Sequence, residues 1–403
     1  MSAHTGSWFL GVDDDDLASC VACGLCLPHC PTYRVTGNDA SSPRGRIALV
    51  SAVKAGDLPL DDGVRSSLES CVQCMGCLPA CPSGVRYDRI IEPVVEELTS
   101  RSGWRRVRRR FFLSPLGRPR VLRALTLAGG GLQRLHLLPK RLPVPPLGMR
   151  NPRLRPPSVN GSHGEVVVFT GCVMDAWFRD VHRATRDVLE AMGFAVSFSD
   201  PSMCCGALHA HAGLVSRAAR FSSRLSDTHS GDTIVVNSAG CGARLGETIG
   251  REGETQVFDV MDFIDRNLDA LRDAVGGTFP ALDESVIVHD ACHLRNLQRT
   301  HLAAHRVLGA FMRVIPIPDD GLCCGAGGSY SIEHPESARS IASRKFLAIE
   351  SVADGASGTI SSGNPGCIGQ LIAHKSERLE HFEVIHPVQL VARMLDSVGK
   401  SPK

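Results

Sequence analysis

Aromatic residues are scarce in this chain. Phe, Trp and Tyr make up 5% of its 403 residues, with three Trp and three Tyr. There is no Gly-x-Gly-x-x-Gly fingerprint and no P-loop, and Gly129-Gly130-Gly131 and Gly327-Gly328 are too short and misplaced to cradle a phosphate. Nothing approaches the ~20 consecutive apolar residues of a membrane span. Residues 1–16 are poor in apolar side chains and carry four consecutive aspartates, so no signal peptide is expected there. Without one, 16 cysteines point to reduced thiolates in a cytosolic compartment rather than to disulfides. Acid is missing from residues 98–164, while residues 101–155 hold 15 of the 44 Lys and Arg. The net charge of +2 therefore hides one basic segment in an otherwise acidic chain.

What the chain has is cysteine in register. Cys20, Cys23, Cys26 and Cys30 precede Pro31, and Cys71, Cys74, Cys77 and Cys81 precede Pro82. Both runs read C-x2-C-x2-C-x3-C-P, the spacing of two-cluster bacterial ferredoxins, in which the fourth cysteine ligates the other cluster. One [4Fe–4S] cluster is expected on Cys20, Cys23, Cys26 and Cys81, the second on Cys71, Cys74, Cys77 and Cys30. Structural zinc and disulfides are the competing readings, but zinc knuckles lack a third cysteine in step.

Around these runs, Asp13–Asp16 either cap a short helix or form a solvated acidic start. Residues 47–50 continue a helix after Ser42-Pro43, with Arg44 and Arg46 either beside a cluster or at the surface. Helical spacing of Ile90, Ile91, Val94, Val95 and Leu98 predicts a helix over 87–98, kinked at Pro93 or beginning near it. This defines a ferredoxin-like domain over 1–100. Residues 101–162 read as a linker in which Arg alternates with Phe and Leu before Pro139, Pro143, Pro145 and Pro146 break any helix. That mixture suits an anionic lipid surface or an acidic partner; the alternative is a strap over the protein's own acidic surface. Nucleic acid is disfavoured, since no recognised motif is present.

From residue 163 the chain repeats itself over 163–275 and 276–400. A β-rich run ends at Cys172 in one copy and at Cys292 in the other. Cys204-Cys205-Gly206 and Cys323-Cys324-Gly325 follow, then Cys241 and Cys367. In the first copy, strands are expected over 166–170, 195–198, 233–236 and 256–258, and helices over 180–192, 214–228 and 261–268. Such alternation predicts a parallel α/β sheet in each copy, and an α+β chain overall. The quartets Cys172, Cys204, Cys205, Cys241 and Cys292, Cys323, Cys324, Cys367 fall at loops and are expected to hold one or two further clusters, or zinc; the alternative is small buried core residues. The two halves are expected to be pseudo-symmetric, with the quartets facing a shared cleft. His209, His211, His289 and His293 flank these cysteines. Each either ligates metal, moves a proton or is a hydrogen-bonded loop residue, and His289 and His293, which bracket Cys292, are the candidates for proton transfer.

With Pro43-Arg44-Gly45-Arg46-Ile47, Ser83-Gly84-Val85-Arg86-Tyr87 and Asn364-Pro365-Gly366-Cys367 added to these motifs, the chain resembles the glycolate oxidase iron–sulfur subunit family over nearly its full length. It is also similar to subunits of heterodisulfide reductase, anaerobic glycerol-3-phosphate dehydrogenase and lactate-utilisation proteins. The resemblance implies a subunit that takes electrons from a partner flavin subunit, on which the FAD resides, and passes them toward a membrane quinone. It further implies a cytoplasmic protein lying peripherally on the inner face of the cell membrane and unable to oxidise the hydroxy acid alone. Heterodisulfide reductase repeats end in Cys-x-x-Cys. Here the matching positions are Arg244 and Gln370, so a noncubane cluster is left open beside a cubane or zinc, and the alternative function is a catalytic subunit of a heterodisulfide reductase-like or glycerol-3-phosphate/lactate dehydrogenase complex.

Overall fold

A computed structural model describes residues 8–137, 145–147, 154, 161–250, 255–319 and 321–399. Residues 1–7 and most of 138–160, including Pro139 and Pro143, lie outside the described residues. The chain divides into two compact units. One comprises residues 1–113 with 207–218 and 322–342; the other comprises 114–206, 219–321 and 343–403.

The first unit is helical. Asp13 caps the Asp14–Ala18 helix by accepting from the Asp15 N–H, so the acidic start is a cap as well as a solvated surface. The Pro43–Ala55 helix has Ser42 at its N-cap, accepting from Gly45 N at 3.0 Å, Pro43 in its first turn, and Gly56 in the left-handed region at its end. Gly45 is required there, because a Cβ would lie 1.9 Å from the Asp39 carbonyl oxygen. The Tyr87–Arg101 helix runs through Pro93 without a break. It buries Ile90, Ile91, Val94, Val95 and Leu98, the stripe the 3.6-residue period marks out. These pack with Phe9, Ile47, Val50 and Leu68 into one core. The basic segment, expected as a linker, is helical where it begins: Gly103–Leu113 belongs to this unit, and Pro119–Arg134 to the other.

The second unit contains two four-stranded, all-parallel sheets of identical order. Strands β1 (Glu165–Phe169), β2 (Ala195–Phe198), β3 (Thr233–Val236) and β4 (Gln256–Asp259) run in the order β2-β1-β3-β4. Strands β5 (Ser285–His289), β6 (Arg313–Pro316), β7 (Thr359–Ser362) and β8 (Glu383–Ile385) run β6-β5-β7-β8. The strands are short β-branched runs, and β5 is buried along its whole length, as expected where helices cover both faces of a parallel sheet. The halves pack reciprocally. The Arg179–Ala191 helix of the first half lies against Pro387–Gly399 of the second, and Leu302–Gly309 of the second lies against Val260–Arg266 of the first. One core therefore serves both sheets, from Val166, Val188 and Leu189 to Val307, Leu308 and Met394.

Candidate functional site

The two ferredoxin-type loops share one backbone conformation. Ala22 and Gln73, each two residues past the first cysteine, have φ of 55°. Gly24 and Met75, each next to the second cysteine, are also left-handed, at 83° and 57°. Non-glycine residues held in this region cost free energy, and such strain is typical of loops shaped around a ligand. Gly24 is a glycine for a local reason: a Cβ would lie 2.8 Å from Arg44 Nη1. Arg44 clamps that loop by donating to the Ala22 carbonyl oxygen at 3.0 Å while paired with Asp39 at 2.9 Å.

Cys30, Cys71, Cys74 and Cys77 line a single cavity together with Thr32, Arg46, Gln73 and Tyr87. The fourth cysteine of the first run thus joins the first three of the second, the arrangement crossed ligation requires. Burial pushes the Cys77 thiol well up, and the neighbouring Cys74, Cys71 and Cys30 add to it. Four sulfurs so crowded carry negative charge comfortably only around a cationic or iron–sulfur core, so this donor set fits a cluster. Gln73 N and Tyr87 Oη donate to Cys71 Sγ at 3.4 and 3.6 Å, and Thr32 Oγ1, which donates to Ser41 O at 2.7 Å, lies 3.2 Å from Cys30 Sγ. Arg46 is 2% exposed and donates to Ser67 O at 2.8 Å, Ser70 Oγ at 2.9 Å and Thr32 Oγ1 at 3.0 Å. Burial works against its charge, but negative charge on the Tyr87, Cys71 and Cys30 side chains outweighs that and raises its pKa. In the other run, Cys20, Cys26 and Cys81 pack against the same core as these residues, and burial raises the Cys26 thiol.

The same unit brings in a cysteine from the second repeat. Cys323 hydrogen-bonds to Cys74, which lowers the Cys74 pKa against the effect of its burial. Close by in sequence, Gln73 Nε2 donates to His211 O at 3.0 Å. Composition and spacing give no hint of the Cys74–Cys323 contact, because it joins residues far apart in the chain. In the sequence Tyr87 and Thr32 stand out only as parts of motifs, in Cys81-Pro82-Ser83-Gly84-Val85-Arg86-Tyr87 and Cys30-Pro31-Thr32-Tyr33; neither residue type announces itself as a neighbour of sulfur.

In the second unit the first quartet gathers. Cys172 Sγ lies 3.5 Å from Cys204 Sγ, and Cys205 Sγ lies 3.1 Å from Cys241 Sγ. Cys172 follows β1, and Cys241 lies in the first turn of the Ala239–Thr248 helix, which follows β3, so two adjacent central strands aim them at one end of the sheet. Hydrogen bonding to Cys204 and then burial push the Cys172 thiol well up; Cys205 is raised by its bonds to Cys204 and Cys241. Of the second quartet, Cys292 and Cys367 belong to this unit, while Cys323 and Cys324 belong to the first. Both Cys-Cys-Gly turns have the same geometry, with the glycine left-handed and its N–H donating to the first sulfur, at 3.5 Å for Gly206 and 3.3 Å for Gly325. The glycine is obligatory at 325, where a Cβ would lie 2.6 Å from Ala338 O.

Among the candidate histidines, His289 is 2% exposed, with Nδ1 3.0 Å from Ser362 Oγ and a ring nitrogen within 4.8 Å of Cys367 Sγ. His293 precedes the Leu294–Gln298 π-helical turn, and His209 and His211 lie in the short Ala207–His211 helix. Arg244 pairs with Glu247 at 3.7 Å, so the position where a fifth cysteine would stand carries a cation engaged elsewhere.

A helical two-cluster ferredoxin-type region joined to two cysteine-rich α/β halves defines an iron–sulfur protein of the dicluster and CCG class. Residues 16–85 match the 4Fe-4S dicluster domain family, and residues 166–246 and 286–372 match the cysteine-rich (CCG) domain family. The chain is 30% identical to the probable glycolate oxidase iron–sulfur subunit of Bacillus subtilis, over 89% of each chain. It is 28% identical to the glycolate oxidase iron–sulfur subunit of Escherichia coli, over 92% of this chain and 93% of that one. One of the subunits of the dihydromethanophenazine:CoB–CoM heterodisulfide reductase of Methanosarcina acetivorans is 23% identical over 94% of both chains. The chain belongs to the family of glycolate oxidase iron–sulfur subunits and is therefore a subunit of an oxidoreductase complex. Among the described residues no helix is long and apolar enough to cross a membrane.

Proposed function

We propose that this subunit carries electrons from a partner flavin subunit, which holds the FAD and oxidises a 2-hydroxy acid of the glycolate type, toward a membrane quinone, working peripherally on the inner face of the cell membrane. Iron–sulfur clusters on Cys20, Cys23, Cys26, Cys81 and on Cys71, Cys74, Cys77, Cys30 would supply the one-electron steps, with a further cluster or zinc on Cys172, Cys204, Cys205 and Cys241. The observation that carries the reading is the cavity that unites Cys30 with Cys71, Cys74 and Cys77, with Cys323 of the second CCG turn bonded to Cys74. That contact offers a hydrogen-bonded route from the ferredoxin loops to the second CCG turn. His289 and His293 are the groups proposed to hold and move a proton as the acceptor is reduced, His289 being oriented through Ser362. Arg244 in its ion pair argues against a heterodisulfide reductase-type site in the first repeat.

The test uses the complex purified with its flavin subunit. Replacing Cys323 and Cys324 with Ser should abolish hydroxy-acid-driven quinone reduction while the flavin subunit still reduces an artificial dye. If quinone reduction survives with iron content unchanged, the CCG turn is structural and the proposed route is wrong.

A further inference from the structure

We infer that the Gly103–Leu113 helix is a lipid-docking element whose outer face lies in the headgroup layer of an anionic membrane. The inference rests on the reading that the subunit works at a membrane, and it assigns the surface that does so.

The helix is turned the opposite way from an ordinary surface helix. Its inner positions are Arg105, Arg109 and Leu113, four residues apart, and Arg109 and Leu113 are buried. Its outer positions include Trp104, Val107, Phe111 and Phe112, which are 75%, 60%, 74% and 67% exposed. Ion pairs fix this rotation. Arg105 pairs with Glu69. Arg109 forks onto Glu333, with Nη2 2.6 Å from Oε2 and Nε 3.2 Å from Oε1, and its Nη1 reaches Thr99 Oγ1 at 2.6 Å and Ala212 O at 3.1 Å. Rolling the helix to hide its aromatic residues would strand Glu69 and Glu333 without their partners in a largely buried setting, a costly outcome. The exposure of the apolar set is therefore built into the unit and is not an incidental loose end.

The cations left on the outside complete the chemistry. Arg106, Arg108 and Arg110 are exposed, and among the described residues none has an ion-pair partner. On a 3.6-residue period Arg106 and Arg110 lie to one side of the apolar face. Arg108 falls within it, where its stem can lie among rings while the guanidinium reaches outward. No acidic residue occurs in 98–164 to neutralise them. Bulky rings with aliphatic neighbours and unneutralised guanidinium groups match the boundary between acyl chains and anionic headgroups. The helix is too short and too charged to insert across a bilayer.

The test is flotation of the full-length, cluster-loaded protein with vesicles of phosphatidylcholine alone or mixed with phosphatidylglycerol. Binding is expected only to the anionic vesicles, weakening as salt rises. Brominated acyl chains should quench a part of the tryptophan fluorescence that W104F lacks. The triple variant R106Q/R108Q/R110Q should lower the partition coefficient on the order of a hundredfold, since each cation near an anionic surface contributes appreciably. The double variant W104S/F111S should also weaken binding. All these side chains point outward, so the visible and EPR spectra of the clusters report that the fold is kept. Failure to bind anionic vesicles with those spectra intact overturns the proposal, as does binding that neither variant weakens. If the variants instead lose their flavin subunit while the wild type ignores vesicles, the face belongs to a protein interface and the lipid assignment is wrong. Reduction of the clusters by the hydroxy acid through the flavin subunit, read by EPR without vesicles, separately tests the electron-transfer reading.

Discussion

Arg46 shows how much one residue contributes to this molecule. It ties three segments together through Thr32, Ser67 and Ser70, and it places a full positive charge beside the cavity of Cys30, Cys71, Cys74 and Cys77. A nearby cation favours the more negative, reduced state of a metal centre and so raises its potential. Arg46→Gln should therefore lower the midpoint potential of the cluster on those cysteines by on the order of 50–100 mV, the size expected for a unit charge several ångströms away at an effective dielectric of about 20. Arg46→Lys should restore part of the shift, which separates charge from the loss of hydrogen bonds. EPR redox titration of each variant reads the effect, and equal movement of both clusters would contradict the placement. The crossed ligand sets have their own check: Cys81→Ser should disturb the cluster of Cys20, Cys23 and Cys26, and loss of the other cluster alone would disprove the crossing. The cysteines are legible in the sequence because their spacing repeats. Sequence alone leaves Arg46 open between cluster neighbour and surface residue, because nothing in the chain states that a guanidinium is buried; that depends on Ser67 and Ser70 of a separate helix and the turn after it.

At the scale of elements, the two halves solve one local problem with different chemistry. The last residue of β4 and the residue after β8 each cap the next helix. Asp259 Oδ1 accepts from Met261 N at 2.9 Å, and His386 Nδ1 accepts from Val388 N at 3.3 Å. Burial pushes Asp259 up to about 7. Burial, with His182 adding, lowers His386 to about 3, and burial lowers His182 to about 4. Between about pH 4 and 6.5 the unfolded chain protonates both histidines while the folded chain does not, so their contribution is present above that window and lost as pH falls through it. Asp259 has the opposite sign: the folded carboxyl keeps its proton while the unfolded one has lost it. From these three groups the net is one proton, which adds about 1.4 kcal/mol per pH unit to the rise of stability across this window. Asp259→Asn, which retains a capping oxygen, removes the opposing contribution and should steepen the measured slope by about 1.4 kcal/mol per unit. Urea titrations at a series of pH values measure both slopes, and equal slopes would show that Asp259 is ionised in the fold. The strands are readable from sequence to within a residue or so, because short β-branched runs bounded by Gly, Pro and Asp have few other uses. The helices at Gly103–Leu113 and Pro119–Arg134 read as linker because their Arg-rich, acid-free composition and the prolines that follow outweigh a helical spacing of apolar residues that is present in both.

At the scale of the molecule, the duplication determines how the second unit holds together. In each half the long helix between the first two strands packs on the helix that follows the last strand of the other, so the same pairing occurs twice. The repeat in the sequence announces two related halves, but the reciprocal helix pairing depends on which faces complement each other and cannot be read from either copy alone. Neither half then closes its core without its counterpart: Val181, Val188 and Leu189 share one cluster with Val388, Val391 and Met394. Leu189 is fully buried there. Leu189→Ala should cost about 2–5 kcal/mol, the range for a leucine truncated in a core that relaxes only in part. Because the core is shared, that loss should be felt on both sheets. Hydrogen exchange should show β5 and β7 amides losing protection together with those of β1 and β3, although the substitution lies in the first half. Independent halves would predict weakened protection in β1 and β3 alone, with two separable unfolding transitions. A single transition, shifted to lower denaturant for probes in both sheets, is the expected outcome. It would also mean that the cysteine loops at the ends of the two sheets are held by one cooperative body.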